Sequence, residues 1–346
     1  MEPCFIAEPP CHRTSLSYAT LSYNNIGLLY LPVKHGVKPT NIFLTIGALL
    51  SVSGALLYFG SAKSENAPVA PTPAPYVKAT ELLRYANPQH LSLRSQVALV
   101  VDERDGVVLY GRDIDTSRPI ASLTKLMTAL VILESEQSLE APIAITTDDR
   151  DRLRGSHSRL HYGTILTRDD LLRAALSASD NRAAAALART VPGGTPAFVA
   201  AMNAKAQALG MTHTHFADAS GLDSRNVSTA RDLVKLLEAI HDQPRILAFT
   251  TTSEMWVTDL ATGRPMAFFN TNRLLRQEGW GITLTKTGYT ADAGNCLAMR
   301  VTVAGRPLSI VLLNSWGKHS KYGDARRIRD WLIDTERRVP LTTAAI

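Results

Sequence analysis

The chain has 346 residues, 45% of them hydrophobic and 20% charged, with a formal charge of +6. Such a length supports one or two domains with a substantial core, and the composition is that of an ordinary globular protein. No concentrated basic run with interleaved aromatics is present, which excludes a nucleic-acid-binding footprint, and the mild positive charge says little more. Of the three cysteines, Cys4 and Cys11 lie in a segment expected to be missing from the mature protein. Cys296 alone leaves no intramolecular disulfide and reads as a buried structural residue in an apolar strand.

The N-terminal part carries an export signal. Residues 42–59 are an apolar run preceded by Lys34 and Lys38 and followed by Gly60-Ser61-Ala62, small residues suited to cleavage after Ala62. An uncleaved anchor is the alternative, because eighteen apolar residues can just span a bilayer. Residues 1–36 resemble neither an n-region nor a folded domain, and a translation start near Val33 or Val37 would give a short basic n-region. Finding Met1 in the precursor by N-terminal sequencing would overturn that start. The expected organisation is a leader at 1–62, an Ala/Pro-rich extended linker at 63–76, a folded domain at 77–338 and a tail at 339–346.

Within the folded domain, residues 97–101 and 107–110 flank Asp105-Gly106 and read as a hairpin. ASLTKLMTALVILE (121–134) follows, with apolar residues at helical spacing and apolar character on the other face too, which marks a buried helix. Ser122 opens that helix and Lys125 stands one turn later, so the two side chains share a face. Burial and the positive end of the helix dipole both favour loss of the lysine proton, leaving a base beside a nucleophile. A lone Ser-x-x-Lys is cheap, since Ser315 and Lys318 match it with no apolar helix behind them. Thr167-Arg168-Asp169-Asp170 resembles a capping box for a helix through Leu171, Leu172, Ala175 and Leu176. Ser179-Asp180-Asn181 then separates it from an alanine-rich helix at 182–189. Pro192-Gly193-Gly194 breaks the chain before a helix at 195–209 that Gly210 closes, and 229–240 forms a further amphipathic helix. Residues 282–285 read as a strand that Lys286-Thr287-Gly288 ends, glycine there allowing close backbone approach. Strands at 296–303 and 307–313 turn around Gly305, and a last helix covers 324–335. Strands at both ends with helices between them predict an α+β domain whose sheet unites the termini.

Ser122/Lys125, Ser179/Asn181 and Lys286/Thr287/Gly288 together follow the order Ser-x-x-Lys, Ser-x-Asn, Lys-Thr-Gly, the signature of penicillin-binding proteins and serine β-lactamases. Other Ser-x-Asn matches, at Ser22, Ser64 and Ser224, fall in the leader, the linker and a loop. With ASLTKLMTALVILE, SASDNRAAAALA, AMNAKAQALGMTHTHFADASGL, NVSTARDL and LTKTGYTADAGNCLAMR, the chain over 95–332 resembles low-molecular-mass penicillin-binding proteins of the D-alanyl-D-alanine carboxypeptidase/endopeptidase family. These stretches are all similar to the endopeptidase branch, and the short segment 337–346 is expected to leave no room for the β-rich domain and membrane helix that family carboxypeptidases often add. The resemblance implies a β-lactamase/transpeptidase-like fold, with an antiparallel sheet flanked by a helical cluster. It implies an acyl-enzyme on Ser122, Lys125 as its base, and Ser179 relaying a proton to the leaving amine. Asn181 would hold the substrate amide and Lys125, Lys286 would supply positive charge, and Thr287 would bond a carboxylate. Gly288 and Tyr289 would line the substrate strand, the backbone N–H groups of Ser122 and Tyr289 forming the oxyanion hole. Peptidoglycan stems and covalently bound β-lactams are the implied partners, no metal or organic cofactor is implied, and the mature protein is expected in the periplasm.

Other readings carry less. A class A β-lactamase needs a further glutamate in a Glu-x-x-Leu-Asn context, and Glu238, Glu254 and Glu278 all lack it. An α/β-hydrolase needs a Gly-x-Ser-x-Gly that is missing. His213 and His215 lack further metal ligands nearby and read as surface residues. Asp218, Ser220 and Asp232 are expected to shape loops and cap helices, and Arg231 to sit in a salt bridge. A non-enzymatic wall-binding protein is the remaining alternative, weakened by four intact motif side chains. Endopeptidase and carboxypeptidase differ in what the leaving-group side of the cleft admits, which the sequence leaves open.

Overall fold

The computed structural model describes residues 76–340. The leader, the linker up to residue 75, Cys4 and Cys11 lie outside the described residues, and so do the cleavage site and the start site. Among the described residues no helix is long and apolar enough to cross a membrane.

The chain opens with α1 (Ala79–Tyr85), then the hairpin β1 (Ser95–Asp102) and β2 (Val108–Arg112), turned at Gly106 with φ 65°. After the short β3 (Arg118–Pro119), a 3-10 turn at Ala121–Leu123 leads into α2 (Thr124–Glu134). The helical lobe continues through β4 (Pro142–Ala144), β5 (Ile165–Thr167), α3 (Arg168–Ser177), α4 (Asn181–Arg189), α5 (Gly194–Ala208), β6 (Val227–Ser228), α6 (Ala230–Ala239) and α7 (Pro244–Thr251). A hairpin of β7 (Glu254–Thr258) and β8 (Pro265–Phe269) precedes β9 (Gly281–Thr290), β10 (Gly294–Val303), β11 (Arg306–Ser315) and α8 (Ser320–Arg338).

The main sheet has the order β2-β1-β11-β10-β9, antiparallel throughout, so β1 from the N-terminal part pairs with β11 from the C-terminal part. The expected union of the termini in one α+β sheet is therefore present. Side chains alternate across a strand, and here both faces are covered. Val97, Leu99 and Val101 of β1, with Val311 and Leu313 of β11, join the core under the helical lobe. Ala98, Val100, Leu308, Ile310 and Leu312 face the opposite layer, built by α1 and α8.

The front core is organised around α2. Every residue from Thr124 to Ile132 is buried, and α3, α4 and α5 pack against it. Truncating one such side chain, as in Leu126→Ala, would cost about 2–5 kcal/mol. Local signals fix the neighbouring helices. Thr167 caps α3 by accepting from Asp170 N, but the Asp170 carboxylate pairs with Arg173, so only half of the expected capping box forms. Asp180 caps α4 by accepting from Arg182 N and Ala183 N. Gly210, at φ 68°, closes α5 in a Schellman motif, with Gly210 N bonded to Gln207 O and Met211 N to Ala206 O.

Three boundaries differ from expectation. Ser122 stands in the 3-10 turn, two residues before the α-helix proper. The Lys286-Thr287-Gly288 segment does not end its strand, because β9 stays paired with β10 as far as Thr290 opposite Gly294. The last helix runs from Ser320 to Arg338, and Val339 beyond it packs into the rear core. α1, α7 and the β7–β8 hairpin have no counterpart in the sequence reading.

Candidate active site

The site begins with a backbone constraint. Ala121 has φ 47°, a left-handed conformation unusual for a residue with a Cβ, and its carbonyl accepts from Thr124 Oγ1 at 2.8 Å. Two glycines let the main chain close around this turn. A Cβ on Gly221 would stand 1.9 Å from Ala121 O, and one on Gly288 would stand 3.1 Å from Ser122 N. Close backbone approach was the expected use of Gly288. Gly221, at φ 82°, does the same from the opposite side.

Lys125, in the first turn of α2, is fully buried. Its Nζ lies 2.9 Å from Ser122 Oγ, 2.6 Å from Asn181 Oδ1 and 2.6 Å from the Ser220 carbonyl. The latter two oxygens only accept. A neutral amine has two N–H donors and one lone pair, so with both donors spent there, its lone pair faces the Ser122 hydroxyl. Burial pulls the Lys125 pKa down to about 8, against a weaker upward pull from the carboxylates of Asp218, Asp180 and Asp151. The arrangement can thus take a proton from a half-buried serine hydroxyl near neutral pH.

The facing wall is the α3–α4 connection. Ser179 has φ 60°, also left-handed, and its Oγ accepts from Lys286 Nζ at 2.8 Å. Asn181, the first residue of α4, turns its Oδ1 to Lys125 and donates from Nδ2 to Ser156 Oγ at 2.8 Å. Ser156 is itself held by the Asp151 carboxylate through its backbone N–H at 2.8 Å. From that same loop, Arg154 donates to the Leu222 carbonyl at 2.6 Å and pairs with Asp292 in the β9–β10 turn.

The third wall is β9. Lys286 is buried and also donates to Thr287 O at 3.0 Å. Burial, reinforced by the nearby Lys125 and Lys321, holds its pKa well below the usual lysine range. Burial thus opposes the expected positive charge, and an anion beside Lys286 would favour it. Thr287 Oγ1 shares a 2.7 Å hydrogen bond with Thr271 Oγ1, while the Tyr289 side chain is exposed.

All eight residues singled out in the sequence, Ser122, Lys125, Ser179, Asn181, Lys286, Thr287, Gly288 and Tyr289, lie on these three walls. The reading missed the Ser220 carbonyl, Ser156 and Gly221. For Ser220 and Gly221 the sequence signal is Asp218: its carboxylate accepts from the N–H groups of Ser220, Gly221 and Asp223 at 2.5–2.6 Å, folding Asp-x-Ser-Gly into a tight loop. The loop-shaping expectation also holds for Asp232, which accepts from His213 N and Thr214 Oγ1, and Arg231 pairs with Asp115. Ser315 instead bonds Ser95 in the sheet, and Asn226 braces the Asp218 loop through Ala217 N. Glu238, Glu254 and Glu278 are exposed, as are His213 and His215. Among the described residues, no group of three or more His, Cys, Asp or Glu could hold a metal. Cys296 is buried as expected, and burial pushes its thiol pKa up to about 11.

Known proteins share this framework. The crystal structure of the Streptomyces K15 DD-transpeptidase superposes with a TM-score of 0.65 at 28% identity, covering 70% of this chain and 98% of that one. The D-alanyl-D-alanine endopeptidase of Pseudomonas aeruginosa is 46% identical over 245 residues, 71% of this chain and 79% of the relative. That of Escherichia coli is 41% identical over 254 residues, 73% and 82% respectively. The D-alanyl-D-alanine carboxypeptidase DacF of Bacillus subtilis is 30% identical over 211 residues, 60% of this chain and 54% of the relative. The sequence profile of the D-alanyl-D-alanine carboxypeptidase family, Peptidase S11, matches residues 84–317, and the chain belongs to that family.

Proposed function

We propose that this chain is a serine D,D-peptidase that hydrolyses D-Ala–diaminopimelate cross-links in peptidoglycan through an acyl-enzyme on Ser122. The observation that carries the chemistry is the Lys125 amine, its two donors engaged by Asn181 and Ser220 and its lone pair directed at Ser122 Oγ. The endopeptidase assignment is supported by the relatives at 46% and 41% identity, both D-alanyl-D-alanine endopeptidases. The second reading, removal of a terminal D-Ala from pentapeptides, is favoured by the carboxypeptidases among the more distant relatives.

Ser122 Oγ attacks the D-Ala carbonyl as its proton passes to Lys125 Nζ. The developing oxyanion is stabilised by the backbone N–H groups of Ser122 and Tyr289. Collapse breaks the amide bond, and the proton held by Lys125 is relayed through the Ser179 hydroxyl to the leaving amine, which returns Lys125 to its neutral form. Water, deprotonated by Lys125, then cleaves the ester and frees Ser122. Asn181 holds both the substrate amide and Lys125, and β9 pairs with the extended stem around Gly288. Thr287 bonds the substrate carboxylate, whose negative charge favours the charged form of Lys286. β-Lactams acylate the same serine. Residues 77–338 form the catalytic domain, which Tyr76 and Val339 extend by packing on its rear face; 340–346 form a tail, 63–75 a spacer and 1–62 an export leader to the periplasm. Retention of the segment at 42–59 would anchor the protein to the inner membrane.

Mass-resolved muropeptide analysis of sacculi incubated with the purified protein tests this, with Ser122→Ala as control. Cross-linked dimers should fall to monomers only with the intact serine. Pentapeptides falling to tetrapeptides with dimers untouched would replace the endopeptidase by the carboxypeptidase.

A further inference from the structure

The outer face of the β7–β8 hairpin takes no part in the chemistry above. The antiparallel register sets Glu254 opposite Phe269 and Trp256 opposite Ala267, which sends these four side chains to one face. Met255, Val257 and Phe268 alternate into the core. Trp256 is left 60% exposed and Phe269 40% exposed. The indole is oriented, because its Nε1 donates to Glu254 Oε1 at 3.0 Å. Arg159 donates to the Ala267 carbonyl at 2.9 Å and holds its guanidinium 5.4 Å from the Phe269 ring centroid. Two exposed aromatic rings are thus fixed beside a carboxylate and a guanidinium, with the small Ala267 side chain opposite Trp256.

This platform adjoins the cleft at both edges. From Phe269 the chain reaches Thr271 in two residues, roughly 7 Å when extended, and the Thr271 hydroxyl touches Thr287. On the other edge, Arg159 belongs to the loop whose Ser156 holds Asn181.

We propose that this face docks the glycan strand of the polymer whose peptide stems enter the cleft, an inference that rests on the peptidoglycan reading above. An amino sugar has an apolar C–H face that lies flat on an aromatic ring, and polar substituents at its edge. The platform offers both halves of that match: rings for the face, Glu254 of the hairpin and Arg159 of the adjoining loop for the edge. At 60% and 40% exposure the two rings provide roughly 150–250 Å² between them, far short of the roughly 800 Å² per partner typical of a stable protein interface, so a sugar chain is the better fit than a protein. Because stems are tethered to glycan, holding the strand raises the local concentration of stems at Ser122.

The test compares wild type with the Trp256→Ala/Phe269→Ala double variant on two substrates: intact sacculi, and the same cross-linked peptide dimers released from glycan by an amidase. The double variant should lose about tenfold in kcat/KM on sacculi, with hydrolysis of free dimers and penicillin acylation unchanged. Equal loss on both substrates, or no loss on sacculi, would overturn the proposal. A second readout needs no hydrolysis: penicillin-blocked wild type should sediment with peptide-stripped glycan strands and the double variant should stay in solution. Blocked wild type staying in solution, or a double variant that still sediments, overturns it as well. Should wild type hydrolyse neither substrate, the proposed reaction fails, and sedimentation still decides the platform.

Discussion

The two sides of the central sheet both bury cations, and they treat them in opposite ways. Behind the sheet, Arg306 is 2% exposed and meets the carboxylates of Asp102 and Glu336, with the Tyr76 ring 4.7 Å from its guanidinium carbon. Burial alone would lower its pKa, but the two carboxylates overcome that and raise it. In front, Lys125 is as deeply buried and touches a hydroxyl, an amide oxygen and a peptide carbonyl, with carboxylates only at longer range. There burial wins, and the pKa falls to about 8. A buried cation with a carboxylate in contact is structural; one held by neutral acceptors becomes a base at moderate pH.

The largest effects should come from removing the front pair. Ser122→Ala should abolish penicillin acylation and hydrolysis, a loss of at least about 10⁴-fold, measured by gel labelling with a fluorescent penicillin. Lys125→Met keeps the volume and removes the base, and acylation should fall by about 10²–10⁴-fold while Tm holds or rises. Gly221→Ala tests the backbone frame instead. Its Cβ cannot coexist with Ala121 O at 1.9 Å, so the nucleophile turn must move and acylation should drop by about 10²-fold. Behind the sheet the same kind of change should strike the other quantity. Arg306→Ala leaves Asp102 buried without its partner and should cost about 3–5 kcal/mol of stability. At a temperature where that variant is folded, its acylation rate should be within a few-fold of wild type. Equal damage to acylation and to denaturant stability from both lysine and arginine variants would erase the contrast. Smallest is the effect of Lys321, a lysine in α8 whose pKa burial lowers to about 8 and whose amine reaches Asn295 Oδ1 at only 3.4 Å. Its folded pKa lies below the unfolded value, so its charged form is penalised at low pH and stability rises between about pH 8 and 10.4. Lys321→Met should stabilise the protein at pH 7 by about 1 kcal/mol and flatten that rise, read by urea titration.

Much of this was legible in the sequence wherever a residue type carries the signal. The helix at 121–134, the three motifs and the strands that unite the termini all rest on periodicity or on side-chain chemistry at short spacing. What escaped is carried by the backbone or by distant packing. The Ser220 carbonyl engages Lys125 through an atom every residue has, and the left-handed φ of Ala121 and Ser179 is imposed by the surroundings of residues that do not favour it. The β7–β8 hairpin lacks a two-residue turn signal, and Pro265 at the head of β8 weakens its reading as a strand. The lowered pKa of Lys286 follows first from its burial and is reinforced by two other lysines far away in the chain. No local window contains that information.

The most direct measurement is the pH dependence of Ser122 acylation in wild type and in Asn181→Asp. That substitution keeps the shape but sets a carboxylate at the 2.6 Å contact with Lys125, giving the front lysine what Arg306 has behind the sheet. Since the neutral amine is the active form, the wild-type rate should rise with pH and level off above an inflection near 8. In Asn181→Asp the inflection should move up by more than about one pH unit, and the rate at pH 7 should fall by about tenfold or more. Superimposable profiles, or a wild-type inflection near the ordinary lysine value of about 10.4, would contradict Lys125 as the base.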